Sequence, residues 1–224
     1  MIKIGIIDSG IKPIYSETVR DIQGVFLKKD ELTNEICSLD NIDDKIGHGS
    51  ECFKIISSIV SEGSYYIVKV FDEEMVTDID VFAQAIQICI NQEVNIINIS
   101  AGVKSEEIPE LLRVVCDNAY DKNIIIVSAK HNSGSQCYPA HYKKVIGVGT
   151  ADLTEGELYK YTYDDDFEFY TSAADLYPEH ITWSDSTSFA CAKMTAYAAN
   201  ILKTKGHMEI NQMRDELIHL IRTK

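Results

Sequence analysis

The sequence lacks the features that mark nucleic-acid-binding, secreted and membrane-spanning chains. Lys and Arg number 21 against 35 Asp and Glu, which gives a formal net charge of −14. A phosphate backbone requires a basic surface, so this balance argues against a nucleic-acid partner. No apolar run approaches the roughly 20 residues of a membrane span. The first apolar stretch is too soon interrupted by Asp8 to be a signal peptide.

Metal-binding and disulfide patterns are also absent from the sequence. The six cysteines are scattered and form no CxxC pair. Without a secretion signal we interpret them as reduced and mostly structural, and the cytoplasm is the expected compartment. No cofactor is predicted. A metal site formed by Asp8 and His48 with Asp43 or Asp44 remains an alternative, because carboxylate and imidazole groups are common ligands.

Strand and helix patterns alternate along most of the chain. Strands are predicted at residues 2–7, 24–27, 65–71, 94–99, 123–127 and 145–148, with a hairpin at 158–170 and a loop at 30–46. Helices are predicted at residues 52–60, 78–91, 106–120, 189–202 and 210–221. Nearly continuous apolar strands are typical of a parallel sheet covered on both faces. The pattern therefore predicts a single α/β domain, residues 1–224, with a mainly parallel sheet flanked by helices.

Small polar residues follow several of the predicted strands. Asp8-Ser-Gly, Ser100-Ala-Gly and residues 129–134 all come at strand ends. Because the carboxyl ends of parallel strands meet at one sheet edge, we expect these clusters to gather there. His48 lies in the first turn of one predicted helix, and Ser188 directly precedes another. Taken singly, an Asx turn, a surface histidine and a helix-capping serine explain all three residues.

Together these segments resemble the subtilases, the subtilisin-like serine peptidases. The matching stretches are IGIIDSG around Asp8, GHGS around His48, NIINISAG ending at Gly102, AKHNSG around Asn132, YPA followed by VIGVG, and STSFA around Ser188. Each stretch is a weak signal alone, but the six occur in the family's order and cover nearly the whole chain. The resemblance implies a three-layer α/β/α fold and hydrolysis of a peptide or protein substrate.

The resemblance also implies the roles of individual residues. Ser188 would be the nucleophile, His48 the general base, and Asp8 the group that orients and stabilises the imidazolium. The Asn132 side chain and the Ser188 backbone N–H would bind the oxyanion. Ser100, Ala101, Gly102, Ala129, Lys130 and His131 would form the walls of the substrate side-chain pocket, with Cys137 near its base. The extended substrate would pair with the backbone at residues 100–102.

Several positions depart from the family pattern. Ser186 and Ala192 stand where the family usually has the glycine and proline of Gly-Thr-Ser-Met-Ala-x-Pro. Lys130 and His131 replace the small residues that usually precede the oxyanion asparagine, and Glu51 replaces the histidine of His-Gly-Thr-His. The chain starts at its first predicted strand, so we expect a short intracellular member without signal or pro-region. Calcium-binding loops are expected to be trimmed, although calcium remains possible.

These departures favour a restricted substrate, and we expect processing of a specific peptide or protein, such as the leader peptide of a modified-peptide pathway. A subtilase scaffold that binds a peptide without cutting it remains the alternative. A phosphoryl-transfer or receiver-like domain using Asp8 would explain neither His48 nor Ser188, and no Gly-rich phosphate loop is present. The charge of −14 favours a basic peptide, whereas Lys130 favours an acidic side chain, and the sequence leaves both open. It does not indicate the oligomeric state.

Overall fold

A computed structural model describes residues 1–19, 21–131, 136–162, 169–172 and 187–222. The strands are β1 (Ile2–Asp8), β2 (Ile22–Lys29), β3 (Ile36–Leu39), β4 (Gly63–Lys69), β5 (Ile96–Ile99), β6 (Val103–Lys104), β7 (Ile125–Ala129), β8 (Cys137–Tyr138), β9 (Ile146–Thr150), β10 (Lys160–Tyr161) and β11 (Phe169–Thr171). The helices are α1 (Pro13–Thr18), α2 (His48–Ile59), α3 (Ile79–Asn91), α4 (Glu110–Asp121), α5 (Thr187–Lys205) and α6 (Ile210–Arg222).

Nine of these strands form one sheet in the order β10-β11-β9-β7-β5-β1-β4-β2-β3. The strands from β11 to β2 pair in parallel, and only the outermost pairs, β10 with β11 and β2 with β3, are antiparallel. The central strand β1 is almost wholly apolar and buried because helices cover both of its faces. The predicted mainly parallel sheet flanked by helices is therefore confirmed.

Two apolar cores lie on opposite faces of the sheet. One joins the sheet to α2, α5 and α6, and the other joins it to α3 and α4. The long helix α5 lies at the centre of its layer, where its residues from Thr187 to Ala196 are all buried. Its many alanines let it approach the sheet closely, so the first turn of α5 is held rigidly over the strand ends.

Four short elements of the structure were not predicted, and they are β3, α1, β6 and β8. The predicted loop at residues 30–46 contains β3, which pairs with β2 at the sheet edge. Three of the four β3 residues are exposed, so the strand lacks the apolar run that marks buried strands. The predicted hairpin is present as the β10–β11 pair, although residues 163–168 between them lie outside the described residues. Within the described ranges, no helix is long and apolar enough to cross a membrane.

Candidate active site

The carboxyl ends of three neighbouring strands bring the small polar clusters together. Strands β1, β5 and β7 lie side by side and run parallel. Asp8 ends β1, residues 100–102 follow β5, and Ala129 ends β7 with Lys130 and His131 directly after it. The expected gathering at one sheet edge is confirmed for these residues, while residues 132–134 of the third cluster lie outside the described residues.

Asp8 and His48 form a buried pair at this edge. Nδ1 of His48, the first residue of α2, lies 2.7 Å from Oδ1 of Asp8. The same carboxylate oxygen accepts the backbone N–H of Ser9 at 2.8 Å. Asp8 is fully buried, whereas 8% of His48 is exposed. A carboxylate at Nδ1 favours the tautomer that carries its proton there, which leaves Nε2 able to accept one.

The charge of Asp8 controls the protonation of His48. Burial alone lowers the pKa of the imidazole, but the charge of Asp8, the hydrogen bond to it and the more distant charge of Asp44 outweigh burial. The pKa of His48 is therefore raised above its usual value. A raised pKa strengthens the imidazole as a base and stabilises the imidazolium that forms when it takes a proton.

Glycine at position 49 allows α2 to approach β1 closely. A Cβ atom there would lie 2.4 Å from the Gly10 carbonyl oxygen and 3.1 Å from the Asp8 Cβ. The first of these contacts is with backbone, which cannot move aside as a flexible side chain can. Gly49 thus permits the short separation on which the Asp8–His48 hydrogen bond depends.

Asp44 holds the turn that leads into His48. Its Oδ1 accepts the Ser9 hydroxyl at 2.8 Å and the N–H groups of Ile46 and Gly47 at 3.1 and 2.7 Å. Its Oδ2 accepts the N–H and hydroxyl of Ser50 at 2.9 and 2.6 Å. Burial raises the pKa of Asp44, but these hydrogen bonds outweigh burial and lower it overall. One carboxylate therefore ties the end of β1 to the start of α2.

Ser188 lies in the first turn of α5. Its side chain is close to fully buried, and its hydroxyl donates to the backbone carbonyl of Ser100 at 3.1 Å. The ring of the next residue, Phe189, stacks on the His48 imidazole with centroids 5.9 Å apart and an interplanar angle of 28°. Helix α5 thus carries Ser188 to the same end of the sheet as the Asp8–His48 pair.

A buried polar network beneath the site fixes α5 against β5. Asn98 of β5 accepts the Thr195 hydroxyl at 2.9 Å and donates to the Ser100 hydroxyl at 2.8 Å. The Cys191 thiol also lies 3.4 Å from the Asn98 carbonyl oxygen. The sequence analysis did not single out Asn98, and it considered Asp44 only as a possible metal ligand, not as the group that holds the turn before His48. The signal for Asn98 is a polar residue inside an otherwise apolar strand. The signal for Asp44 is its place shortly before the Gly-His pair.

The predicted pocket residues surround one cavity of about 110 Å³. Its lining comprises Ser100, Ala101, Gly102, Ala129, Lys130, His131, Cys137, Thr187 and Ser188. Two hydrogen bonds connect the walls of this pocket. The Thr187 hydroxyl donates to the Lys130 carbonyl at 2.7 Å, and the His131 N–H donates to the Cys137 sulfur at 3.1 Å. The structure thus brings together all the predicted wall residues beside Ser188. Asn132 and Ser186 lie outside the described residues, whereas Ala192 is buried within α5.

A second cavity shares a wall with this pocket. It has a volume of about 280 Å³ and includes Ala101 and Gly102 in its lining. Its other lining residues are Phe71, Met75, Val76, Thr77, Phe82 and Val103. The strand end at residues 100–102 therefore separates a polar pocket next to Ser188 from a larger, apolar one.

The groups around Asp8 also include possible metal ligands. Potential ligand atoms of Asp8, His48 and Cys52 all lie within 4.8 Å of one another. Burial, followed by the charge of Asp8, raises the pKa of the Cys52 thiol well above its usual value, which disfavours the thiolate that binds metals. Asp44, the carboxylate considered above for a metal site, is instead occupied by hydrogen-bond donors.

The fold, the site at the strand ends and the chain order of Asp8, His48 and Ser188 are those of a peptidase family. A sequence model described as the Subtilase family, peptidase family S8, matches residues 1–224. The chain belongs to this family, which is a family of serine endopeptidases.

Curated relatives support the same assignment. The minor extracellular protease Epr of Bacillus subtilis (strain 168) is 27% identical over 233 residues, which cover 96% of this chain and 34% of Epr. Subtilisin DY of Bacillus licheniformis is 24% identical over 235 residues, which cover 96% of this chain and 82% of subtilisin DY. The chain therefore spans about a third of the length of Epr.

Solved structures share the fold. A mutant of the protease domain of PatA matches with a TM-score of 0.66 and 20% identity, covering 91% of this chain and 80% of that one. The prenylagaramide maturation protease PagA matches with a TM-score of 0.60 and 20% identity, covering 90% of this chain and 75% of its own. The subtilisin-like fold predicted from the sequence is thus confirmed.

Proposed function

We propose that the chain is a serine endopeptidase that cleaves through an acyl-enzyme on Ser188. The observation that carries this proposal is the 2.7 Å contact between Asp8 and His48, at the same sheet edge to which α5 brings Ser188. A serine hydroxyl is a poor nucleophile unless a base removes its proton during attack. His48, with Nδ1 engaged by Asp8, is suited to that role.

In the proposed reaction, the Ser188 hydroxyl turns from the Ser100 carbonyl to Nε2 of His48. As its oxygen attacks the scissile carbonyl carbon, its proton passes to Nε2, and the charge of Asp8 stabilises the imidazolium. The imidazolium then gives the proton to the leaving amine as the peptide C–N bond breaks. A water molecule repeats the sequence on the acyl-enzyme, releasing the acid and restoring Ser188.

The oxyanion of each tetrahedral intermediate requires donors that are already in place. The Ser188 backbone N–H lies in the first turn of α5, where N–H groups have no intrahelical acceptor and the helix dipole is positive. We assign the second donor to the Asn132 side chain, on the family resemblance alone.

The substrate is proposed to be an extended peptide lying along residues 100–102. In this arrangement the side chain before the cleaved bond enters the 110 Å³ pocket, and an apolar side chain further upstream enters the 280 Å³ cavity. Two separate pockets, one small and one apolar, favour a restricted set of sequences. Processing of a specific peptide or protein is the biological role that fits such a groove.

A leader peptide of a modified-peptide pathway is the substrate class that we favour within this role. The fold is shared with the prenylagaramide maturation protease PagA, which supports the choice by analogy. All six cysteines are unpaired thiols and five are buried, which suits the reducing conditions of the cytoplasm.

Cleavage of a proteome-derived peptide library, read by mass spectrometry, tests the function. We expect a narrow set of cleavage sites for the wild type and a loss of about a millionfold in kcat for Ser188→Ala, the scale known from subtilisin. Ser38→Ala, at an exposed serine of the edge strand β3, is the matched control and should cleave as the wild type does. Binding of peptides without any cleavage would establish the binding-module alternative, and indiscriminate cleavage would refute the restricted role.

A further inference from the structure

The pocket beside Ser188 is small and carries positive charge. Its volume of about 110 Å³ is well below the ~300–1,000 Å³ of sites that hold drug-sized ligands, so one side chain of modest size fills it. Among the described residues that line it are a lysine and a histidine, and none of them is a carboxylate. This local composition contrasts with the net charge of −14 on the whole chain.

Lys130 lines the pocket, and its side chain extends toward the ring of Tyr170. Its Nζ lies 5.4 Å from the centroid of the Tyr170 ring. Tyr170 in turn packs against Cys137 and Ala140. This course depends on Gly149, since a Cβ there would lie 2.7 Å from the Tyr170 ring and 3.3 Å from the Lys130 Cδ. The sequence thus keeps open the space through which the lysine side chain passes.

Lys104 adds a second positive charge next to the same wall. In the antiparallel pair of β6 and β8, Lys104 lies directly opposite Cys137. Burial raises the pKa of the Cys137 thiol, but the His131 N–H and the charges of Lys130 and Lys104 oppose that rise. Burial and the charge of Lys104 both lower the pKa of His131. Both ammonium groups therefore act electrostatically on the residues that line the pocket.

We propose that this pocket selects an acidic residue, Glu or Asp, immediately before the cleaved bond, with Lys130 as the main positive charge and Lys104 as the second. This specificity rests on the proposed peptidase function. A carboxylate in the pocket gains a charge-assisted contact that an amide of the same shape does not. The charge of −14 acts over longer distances and favours basic segments elsewhere in the substrate, so the two preferences concern different parts of the peptide.

Three otherwise identical fluorogenic peptides, with Glu, Gln or Lys before the cleaved bond, test the proposal. We expect kcat/KM for the Glu peptide to exceed that for the Gln peptide by about tenfold, the typical gain of a charge-assisted over a neutral hydrogen bond. The Lys peptide should be the poorest of the three. Because surface charges are screened by salt, the ratio of Glu to Gln should fall as ionic strength rises.

Substitutions of the lysines identify the source of the preference. Lys130→Met should bring the ratio of Glu to Gln close to one, and Lys104→Met should lower it by a smaller factor. Lys122→Met is the matched control, because Lys122 is an exposed lysine at the end of α4, close to the amino end of β7 and not to the carboxyl end where the pocket lies. This variant should keep the wild-type ratio of Glu to Gln. Each ratio is measured within one variant, so a change in overall rate or stability does not affect it.

Labelling by a fluorophosphonate separates failure of this proposal from failure of the proposed function. Enzyme that is labelled on Ser188 but cleaves the Glu and Gln peptides equally would overturn the acidic preference alone. A ratio unchanged in Lys130→Met would overturn the role of Lys130 and leave it as a residue that only packs on Tyr170. Enzyme that is neither labelled nor active on any peptide would overturn both proposals.

Discussion

Replacing Asp44 by Asn tests whether one carboxylate holds the turn before His48. The carboxylate accepts five hydrogen bonds, three on one oxygen and two on the other. Asn keeps one acceptor oxygen and replaces the other by an NH2 group. If the remaining oxygen of the substituted side chain accepts the Gly47 N–H, the new NH2 group faces the Ser50 N–H. Two donors then face each other where the carboxylate oxygen accepted before.

The expected cost follows from these contacts. A hydrogen bond to a charged group contributes about 1.5–3 kcal/mol to stability, so losing the Ser50 contacts and weakening the others should lower the free energy of unfolding by about 3 kcal/mol. Because Ser9 and Gly47 adjoin Asp8 and His48, we also expect kcat/KM to fall by roughly tenfold through a small misplacement of the base.

Urea unfolding and peptide cleavage, measured on Asp44→Asn and Asp43→Asn, are the assays. Asp43 is the matched control, because its side chain is exposed and its change should cost under about 0.5 kcal/mol. The pKa of Asp44 is lowered by folding, so its contribution is present above the ordinary Asp pKa of about 3.9 and is lost as pH falls through its lower folded value. Equal stabilities for the two variants would refute the reasoning.

Three further substitutions test the site. Asp8→Asn should lower kcat on the order of 10⁴-fold and move the acid limb of the pH–rate profile downward, because the charge that raises the His48 pKa is removed; an unmoved limb would contradict this. Asn98→Ala should lower the free energy of unfolding by about 2–3 kcal/mol in thermal unfolding, since two buried hydroxyls lose their partner. Gly49→Ala should lower kcat/KM by about a hundredfold by forcing α2 away from β1, and wild-type kinetics would show that the close approach is unimportant.

The sequence predicts those parts of the fold whose signals are local. Continuous apolar runs identified the central strands, and the polar residues after them identified the edge where Asp8 lies. The edge strand β3 was missed because its exposed residues carry no apolar period, although it pairs with β2 as a local hairpin. Local pattern could not reveal the contact of Asn98 with α5, because its hydrogen bond with Thr195 spans 97 positions of the chain.

In the candidate site, too, the sequence predicts the residues with a local motif but not the contacts between distant parts of the chain. The motif pattern predicted Asp8, His48 and Ser188, but not that Asp44 would hold the turn between the first two. The sequence predicted Lys130 in the pocket wall but not Lys104 beside it, because the position of Lys104 opposite Cys137 follows from the pairing of two short strands.

Mapping a fluorophosphonate adduct by mass spectrometry tests the central claim most directly. The account predicts a single adduct on Ser188 in the native enzyme, a greatly slowed reaction in His48→Ala, and no adduct at that position in Ser188→Ala. An adduct on another serine, or labelling of Ser188 at the same rate without His48, would contradict a nucleophile activated by the Asp8–His48 pair.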